Sequence, residues 1–250
     1  MTFLHAVLLG TIQGLCEFLP VSSSGHLRLA QFFLGLDSSS LMHFDLICHF
    51  GTFFASILVF RKEIYNLFTK DLRSIPLFAL ALLPLVPMYI LFKKVFSFDS
   101  LNFLGPFFIL TGILLYLTTR KKPNFGTSWP NKHNLKHSLL IGVAQSFALF
   151  PGLSRSGASI SMAKMLGWNI RNAVVFSYLL SMPAILGGMI LELPHMNGAF
   201  SWAIVTGFCF SFVVGFATIR GFLYFIEKYS LKPFAYYCIG LGIVTLFYFW

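Results

Sequence analysis

Five uncharged runs of about membrane-spanning length organise this chain, at residues 75–92, 101–118, 172–191, 202–219 and 233–250, and a sixth apolar run follows Asp45 and continues to Phe60. A helix crossing a bilayer needs about 20 mostly apolar residues. Inside lipid every backbone polar group must be satisfied within the protein, so open strands and loops are excluded there. Six crossings in an all-α polytopic membrane protein are therefore expected. Composition agrees: 57% of the residues are hydrophobic and 10% are charged, against roughly 45–50% and 25% in soluble domains. A soluble domain of this length could not bury so much apolar area, and disorder is excluded by the same excess.

Two further apolar stretches, 2–19 and 138–150, are each stopped by a proline and then by a Ser/Gly-rich turn. Each is short for a crossing. Non-helical backbone at membrane depth survives only where protein or a wet cavity satisfies it, so both are read as re-entrant helical hairpins, over about 2–36 and 138–166. The first has no Lys or Arg before Arg28; lacking a signal peptide's basic flank, it is expected to belong to the mature fold. One membrane-embedded domain over 1–250 results. Its halves, 1–118 and 138–250, are joined by a basic loop at 119–137.

The formal charge is 18 − 8 = +10. With six crossings and two returning hairpins, 14 of the 18 Lys and Arg fall on one side, from Arg61 and Lys62 through Arg120–Lys122 to Lys228 and Lys232. Cytoplasmic loops collect such residues. This layout puts both termini outside and the first hairpin on the outer face, and the charge needs no nucleic acid partner. Membrane lipids are the expected surroundings, and the oligomeric state stays open. Cys16, Cys48, Cys209 and Cys238 are scattered without metal-ligand spacing, and read as reduced packing residues.

The hairpins share an order: Gly, Gln three residues later, a helical stretch, Pro, then a Ser/Gly turn. The first reads GTIQGLCEFLPVSSSGH from Gly10, the second GVAQSFALFPGLSRSG from Gly142. Two halves related by inversion in the membrane plane follow, with a polar site expected where they meet. Of the eight acidic residues only Glu17 and Asp45 fall inside apolar segments. A carboxylate at that depth is costly unless it is paired and functional. Asp45 can also be a helix cap, and His49 reads as packing or support. Gln13 shares a helix face with Glu17. Ser22, Ser23 and Ser24 can cap the following helix, whose N-terminus suits a phosphate, and His26 lies at its start. In the second turn Ser154, Ser156 and Gly157 surround Arg155, whose fork matches phosphate oxygens. Together these groups form an inventory for phosphoryl transfer.

At these residues the chain resembles the undecaprenyl-diphosphate phosphatase family, also called the bacitracin-resistance family. QGLCEFLPVSSSGHL at 13–27 is similar to its (E/Q)-x-x-x-E motif with the attached Ser-Ser-Gly-His stretch, and PGLSRSGASI at 151–160 to its Pro-Gly-x-Ser-Arg-Ser-Gly motif. HFGTFFASILVFR at 49–61 and FSYLLSMPAILG at 176–187 also fit its pattern.

The resemblance implies hydrolysis of a polyprenyl diphosphate to the monophosphate lipid carrier of cell-wall synthesis. The active site would open to the outer face of the bacterial cytoplasmic membrane, and a divalent cation, Mg or Ca, would be held by Glu17. It makes Glu17 the essential carboxylate with Gln13 beside it, and leaves Ser23 and His26 to divide the roles of nucleophile and base. Arg155 with Ser154 would bind the diphosphate, with Ser22, Ser24, Gly25, Ser156, Gly157 and Ser159 lining the turns. Cys238 stands where an arginine often follows the tyrosine. The rival reading is a polyprenyl-phosphate transporter or flippase, since inverted repeats also build carriers.

Overall fold

A computed structural model describes residues 1–37, 41–95, 101–120, 129, 134–192 and 201–250. Among these every regular element is helical. In chain order they are α1 (Phe3–Phe18), α2 (Ser23–Phe33), α3 (Met42–Val59), α4 (Arg61–Thr69), α5 (Ile75–Leu82), α6 (Leu85–Val95), α7 (Leu104–Thr118), α8 (Leu135–Ser146), α9 (Arg155–Met165), α10 (Ile170–Glu192), α11 (Trp202–Lys228) and α12 (Lys232–Phe249). Six segments are long and apolar enough to cross a membrane: Met42–Val59, Leu72–Phe92, Leu101–Thr118, Ile170–Leu191, Trp202–Lys228 and Lys232–Phe249. The chain is a multi-pass membrane protein. Of the expected basic loop, residues 121–128 and 130–133 lie outside the described residues, so Lys121, Lys122 and Lys132 are not placed.

Proline and glycine explain the departures from straight rods. Pro84 removes a backbone donor, and the second span breaks into α5 and α6 at Leu83–Pro84. Pro87 lies inside α6 without a second break. On α11 the four-spaced Gly207, Ser211 and Gly215 form a trough that receives two helices. A Cβ on Gly10 of α1 would lie 2.7 Å from the Gly207 carbonyl oxygen, and one on Gly14 would lie 2.8 Å from the Gly215 nitrogen. Gly51 of α3 packs against Ser211 and the Phe208 carbonyl. Close backbone approach replaces the hydrophobic effect, which lipid does not supply between helices.

Gly14→Val forces α1 off a backbone rather than off a flexible side chain. It is expected to cost about 1–3 kcal/mol, read as a lowered thermal midpoint in detergent. Because Glu17 lies one turn further on, activity should fall with it.

Helices remote in the chain pack in pairs: α1 lies along α11, α8 lies along α5, and α7 pairs with α12. Gly142 of α8 touches the Ala81 backbone as Gly10 touches Gly207, and Gly105 and Gly242 meet where α7 crosses α12. The element ends also sort into two sets. Arg171 at the start of α10 pairs with Glu227 at the end of α11, Trp129 Nε1 donates to Ser74 Oγ at 2.7 Å, and Tyr116 near the end of α7 meets Tyr236 at the start of α12. At the opposite end Trp250 Nε1 donates to the Asn102 carbonyl at 3.3 Å.

Candidate active site

α1 stops at Phe18 because Pro20 cannot continue it, and the chain turns through Ser22 at φ 73°, ψ 96°. A non-glycine residue with positive φ stores strain and needs its surroundings to hold it there. Two groups do so. Ser22 Oγ accepts the Gly25 N–H at 3.4 Å as the N-cap of α2, and His26 Nδ1 lies 2.7 Å from the Ser22 carbonyl oxygen, to which it can only donate. The second hairpin turns at Gly152, φ 94°, and α9 is capped by Ser154 Oγ, which accepts the Gly157 N–H at 3.0 Å.

The caps give the correspondence between the turns. Ser22 matches Ser154, Ser23 matches Arg155, Gly25 matches Gly157, and counting back equally from each cap Gln13 matches Gln145 and Gly10 matches Gly142. The prolines that suggested the repeat are one residue out of step. Ser23 and Arg155 thus each begin a helix, and both point at Glu17.

That carboxylate is 6% exposed. Its Oε1 accepts from Arg155 Nη2 at 2.6 Å, and its Oε2 accepts from Ser23 Oγ at 2.7 Å and from Gln13 Nε2 at 3.0 Å. His49 Nδ1 stands 3.4 Å from Oε2. The turns are tied together as well: Ser156 Oγ donates to the Leu19 carbonyl at 3.2 Å and Tyr178 O–H to the Phe18 carbonyl at 2.6 Å. Cys238 is buried beneath the first turn, its Sγ 3.8 Å from the Pro20 carbonyl oxygen.

A cavity of about 310 Å³ opens beside this knot. Glu17, Ser22, Ser23, Ser24, Ser154, Arg155 and Ser156 supply its polar wall, with His49 and Gln145, while Leu46, Leu85, Leu149, Ile185 and Met189 supply an apolar one. Arg155 Nη1 and Gln145 Oε1 are buried without a hydrogen-bond partner. A donor left bare at the wall of a polar cavity is costly, and an anionic oxygen would relieve it.

The expected site residues separate here into two groups. Those named above converge on the cavity. Gln13 stands behind Glu17, fully buried. Gly25 packs against Phe108 and Gly152, and Gly157 gives its N–H to the cap. Ser159 bonds Ser177 at 2.6 Å and the Arg155 carbonyl at 2.8 Å, away from the lining. His26 is not brought to the cavity: its Nε2 accepts from Tyr237 O–H at 2.7 Å and its ring stacks on Tyr237. Asp45 is not a cap, since α3 begins at Met42 after Leu41 and its carboxylate accepts from Gln31 at 2.9–3.0 Å.

Sequence reading passed over Gln145, although its place in the shared order marked it, and Tyr237, which no local signal marks. It read His49 as packing or support.

A resident metal does not fit the donor set. Both oxygens of Glu17 are taken, one by a guanidinium, and the described residues contain no group of three His, Cys, Asp or Glu able to hold an ion.

The chain is similar along its whole length to known proteins. The family model "Bacitracin resistance protein BacA" matches residues 6–244. A protein of Protochlamydia amoebophila named undecaprenyl-diphosphatase is 39% identical, covering 100% of this chain and 99% of the relative. Proteins of the same name from Carboxydothermus hydrogenoformans (37%; 98% and 97% covered) and Methanosphaera stadtmanae (33%; 98% of each) are similar too. With the motif turns assembled around one carboxylate and a match spanning nearly every helix, the chain belongs to the bacitracin resistance protein BacA family.

Proposed function

We propose that this protein is a membrane phosphatase that hydrolyses undecaprenyl or a similar polyprenyl diphosphate to the monophosphate and inorganic phosphate. This recycles the lipid carrier for peptidoglycan synthesis and so confers bacitracin resistance. The observation that carries the reading is the convergence of a hydroxyl, a carboxylate and a half-unpaired guanidinium on one cavity with an apolar wall. The name shared by the relatives supports it.

Ser23 is the nucleophile in this reading, and Glu17 its base. Glu17 takes the hydroxyl proton while Ser23 Oγ bonds to the terminal phosphorus and the phosphoanhydride P–O bond breaks, so that prenyl monophosphate leaves. The departing prenyl monophosphate carries off the proton held by Glu17; water then attacks the phosphoserine and gives its proton to Glu17, which returns it to Ser23 Oγ as the P–Oγ bond breaks and inorganic phosphate leaves. Arg155 Nη1 and the N–H groups at the starts of α2 and α9 meet the negative oxygens. Ser24, Ser154 and Ser156 add hydroxyls, and Leu85 and Leu149 meet the first prenyl units. Gln13 positions Glu17, and His26 holds the Ser22 turn in its strained form.

The site opens to the outer face of the bacterial cytoplasmic membrane. The element ends that meet around Arg73, Arg120, Arg171 and Lys228 face the cytoplasm, both termini lie outside, and the halves 1–118 and 138–250 are opposed. The divalent cation, Mg or Ca, belongs with the diphosphate rather than with a protein cage.

The test uses the full chain in detergent with polyprenyl diphosphate labelled on its terminal phosphate. Phosphate release, and label trapped on Ser23 by rapid acid quench, is the expected result. Excess chelator should lower the release. Binding without release would favour the transporter, and label on another residue would displace Ser23.

A further inference from the structure

The cavity contains a histidine that the mechanism above leaves unused. His49 projects from α3 beside Glu17, lines the cavity and keeps 28% of its side chain accessible. A histidine that merely fills space normally has both ring nitrogens occupied, as His26 has, between the Ser22 carbonyl and Tyr237. His49 has only one occupied. Its Nδ1 lies 2.7 Å from Gln13 Nε2, and among the described residues Nε2 has no partner.

The Gln13 amide fixes the tautomer. Its nitrogen lies 3.0 Å from Glu17 Oε2 as well as 2.7 Å from His49 Nδ1. Turned over, its oxygen would face a carboxylate oxygen at that distance, acceptor against acceptor. Gln13 therefore gives one hydrogen to Glu17 and the other to His49, although its own Oε1 is left buried without a partner. Nδ1 must then be the accepting nitrogen, and the proton of the neutral ring sits on Nε2.

We infer that His49 is a substrate-binding donor of the phosphatase site. It presents Nε2–H to a diphosphate oxygen across the cavity from Arg155, and Gln13 is the positioning residue that holds it in that tautomer. The inference rests on the reading of the cavity as a diphosphate site. It gives the anion donors from both halves of the chain, one charged on α9 and one neutral on α3. A neutral donor can stand beside Glu17 without competing with Arg155 for its charge.

Three variants separate a donor from a packing ring. In His49→Gln the side-chain amide reaches where Nε2 was, in His49→Asn it stops near Nδ1, and His49→Phe keeps a ring with no donor. With polyprenyl diphosphate and the detergent-purified full chain, kcat/KM should fall about 10²-fold in the Asn and Phe variants. The Gln variant should recover most of that loss, to within about fivefold of the parent. Parental kcat/KM in His49→Phe, or equal losses in all three, would overturn the inference.

Affinity for farnesyl methylenediphosphonate, which cannot be hydrolysed, is the second readout. It should weaken about tenfold in the Asn and Phe variants and not in Gln. This arm stands apart from the hydrolysis reading. If the parent releases no phosphate, the phosphatase assignment falls. Weaker binding by the Asn and Phe variants would then still support His49 as a donor, and unchanged binding would end that claim too.

Discussion

Glu17→Gln should abolish turnover to within the sensitivity of a phosphate-release assay, a fall in kcat of about 10³–10⁴. The substitution keeps the shape and two polar atoms of the side chain, so it isolates charge and basicity. An amide cannot take the Ser23 proton, and its N–H would face either Ser23 or the Arg155 guanidinium, which lies 2.6 Å from Oε1. A fold cost accompanies it. Removing one partner of a buried pair leaves the other charge uncompensated, worth about 3 kcal/mol at the low end because the Arg155 side chain is itself 21% accessible. Stability and chemistry are separable: the Glu17→Gln protein should still run as a monodisperse species in detergent, with a lowered thermal midpoint, while releasing no phosphate. A Glu17→Gln enzyme with more than about a tenth of parental kcat would rule out Glu17 as the base.

Arg155→Met should produce the second large loss, about 10³-fold in kcat/KM, as expected where a charged donor to a transferring phosphoryl group is removed. Methionine keeps the length and fills the apolar part of the path. Arg155→Lys is the sharper comparison. Lysine restores the charge, and with it the pairing to Glu17, but it cannot use one nitrogen for Glu17 and a second for substrate as the fork does. The buried Nη1 without a partner is that second nitrogen. Lysine should therefore recover the thermal midpoint lost in Met while recovering little activity. If Lys restored both equally, Arg155 would be a structural counter-ion only. In the double variant Glu17→Gln/Arg155→Met the stability losses should not add, since neither charge is left alone, whereas activity should stay absent.

These expectations divide the site by how far apart its partners lie in sequence. The hairpin turns were legible because their signals are local. Proline ends a helix, serine caps the next within three residues, and a carboxylate in an apolar run is too costly to be incidental. The same holds for the crossings, whose length and lack of charge follow from the thickness of the bilayer.

What failed to show in the sequence depends on contacts between distant segments. His26 carries the mark of a catalytic histidine in its Ser-Ser-Ser-Gly-His setting, yet its ring direction is set by Tyr237, 211 residues away. His49 looks like one more residue of an apolar helix until Gln13, 36 residues earlier, is seen to touch it. Asp45 was open between cap and function until Gln31 was found against it.

By itself, then, the sequence determined that this chain lives in a bilayer, which six segments are long and apolar enough to cross it and where its helices stop at Pro and Ser/Gly turns, because solvation penalties and helix termination act over a few residues. Only the tertiary structure decided which imidazole faces the cavity and that one carboxylate joins the two turns. Those outcomes depend on side-chain direction and on partners brought within about 3 Å by the packing of helices that are remote in the chain.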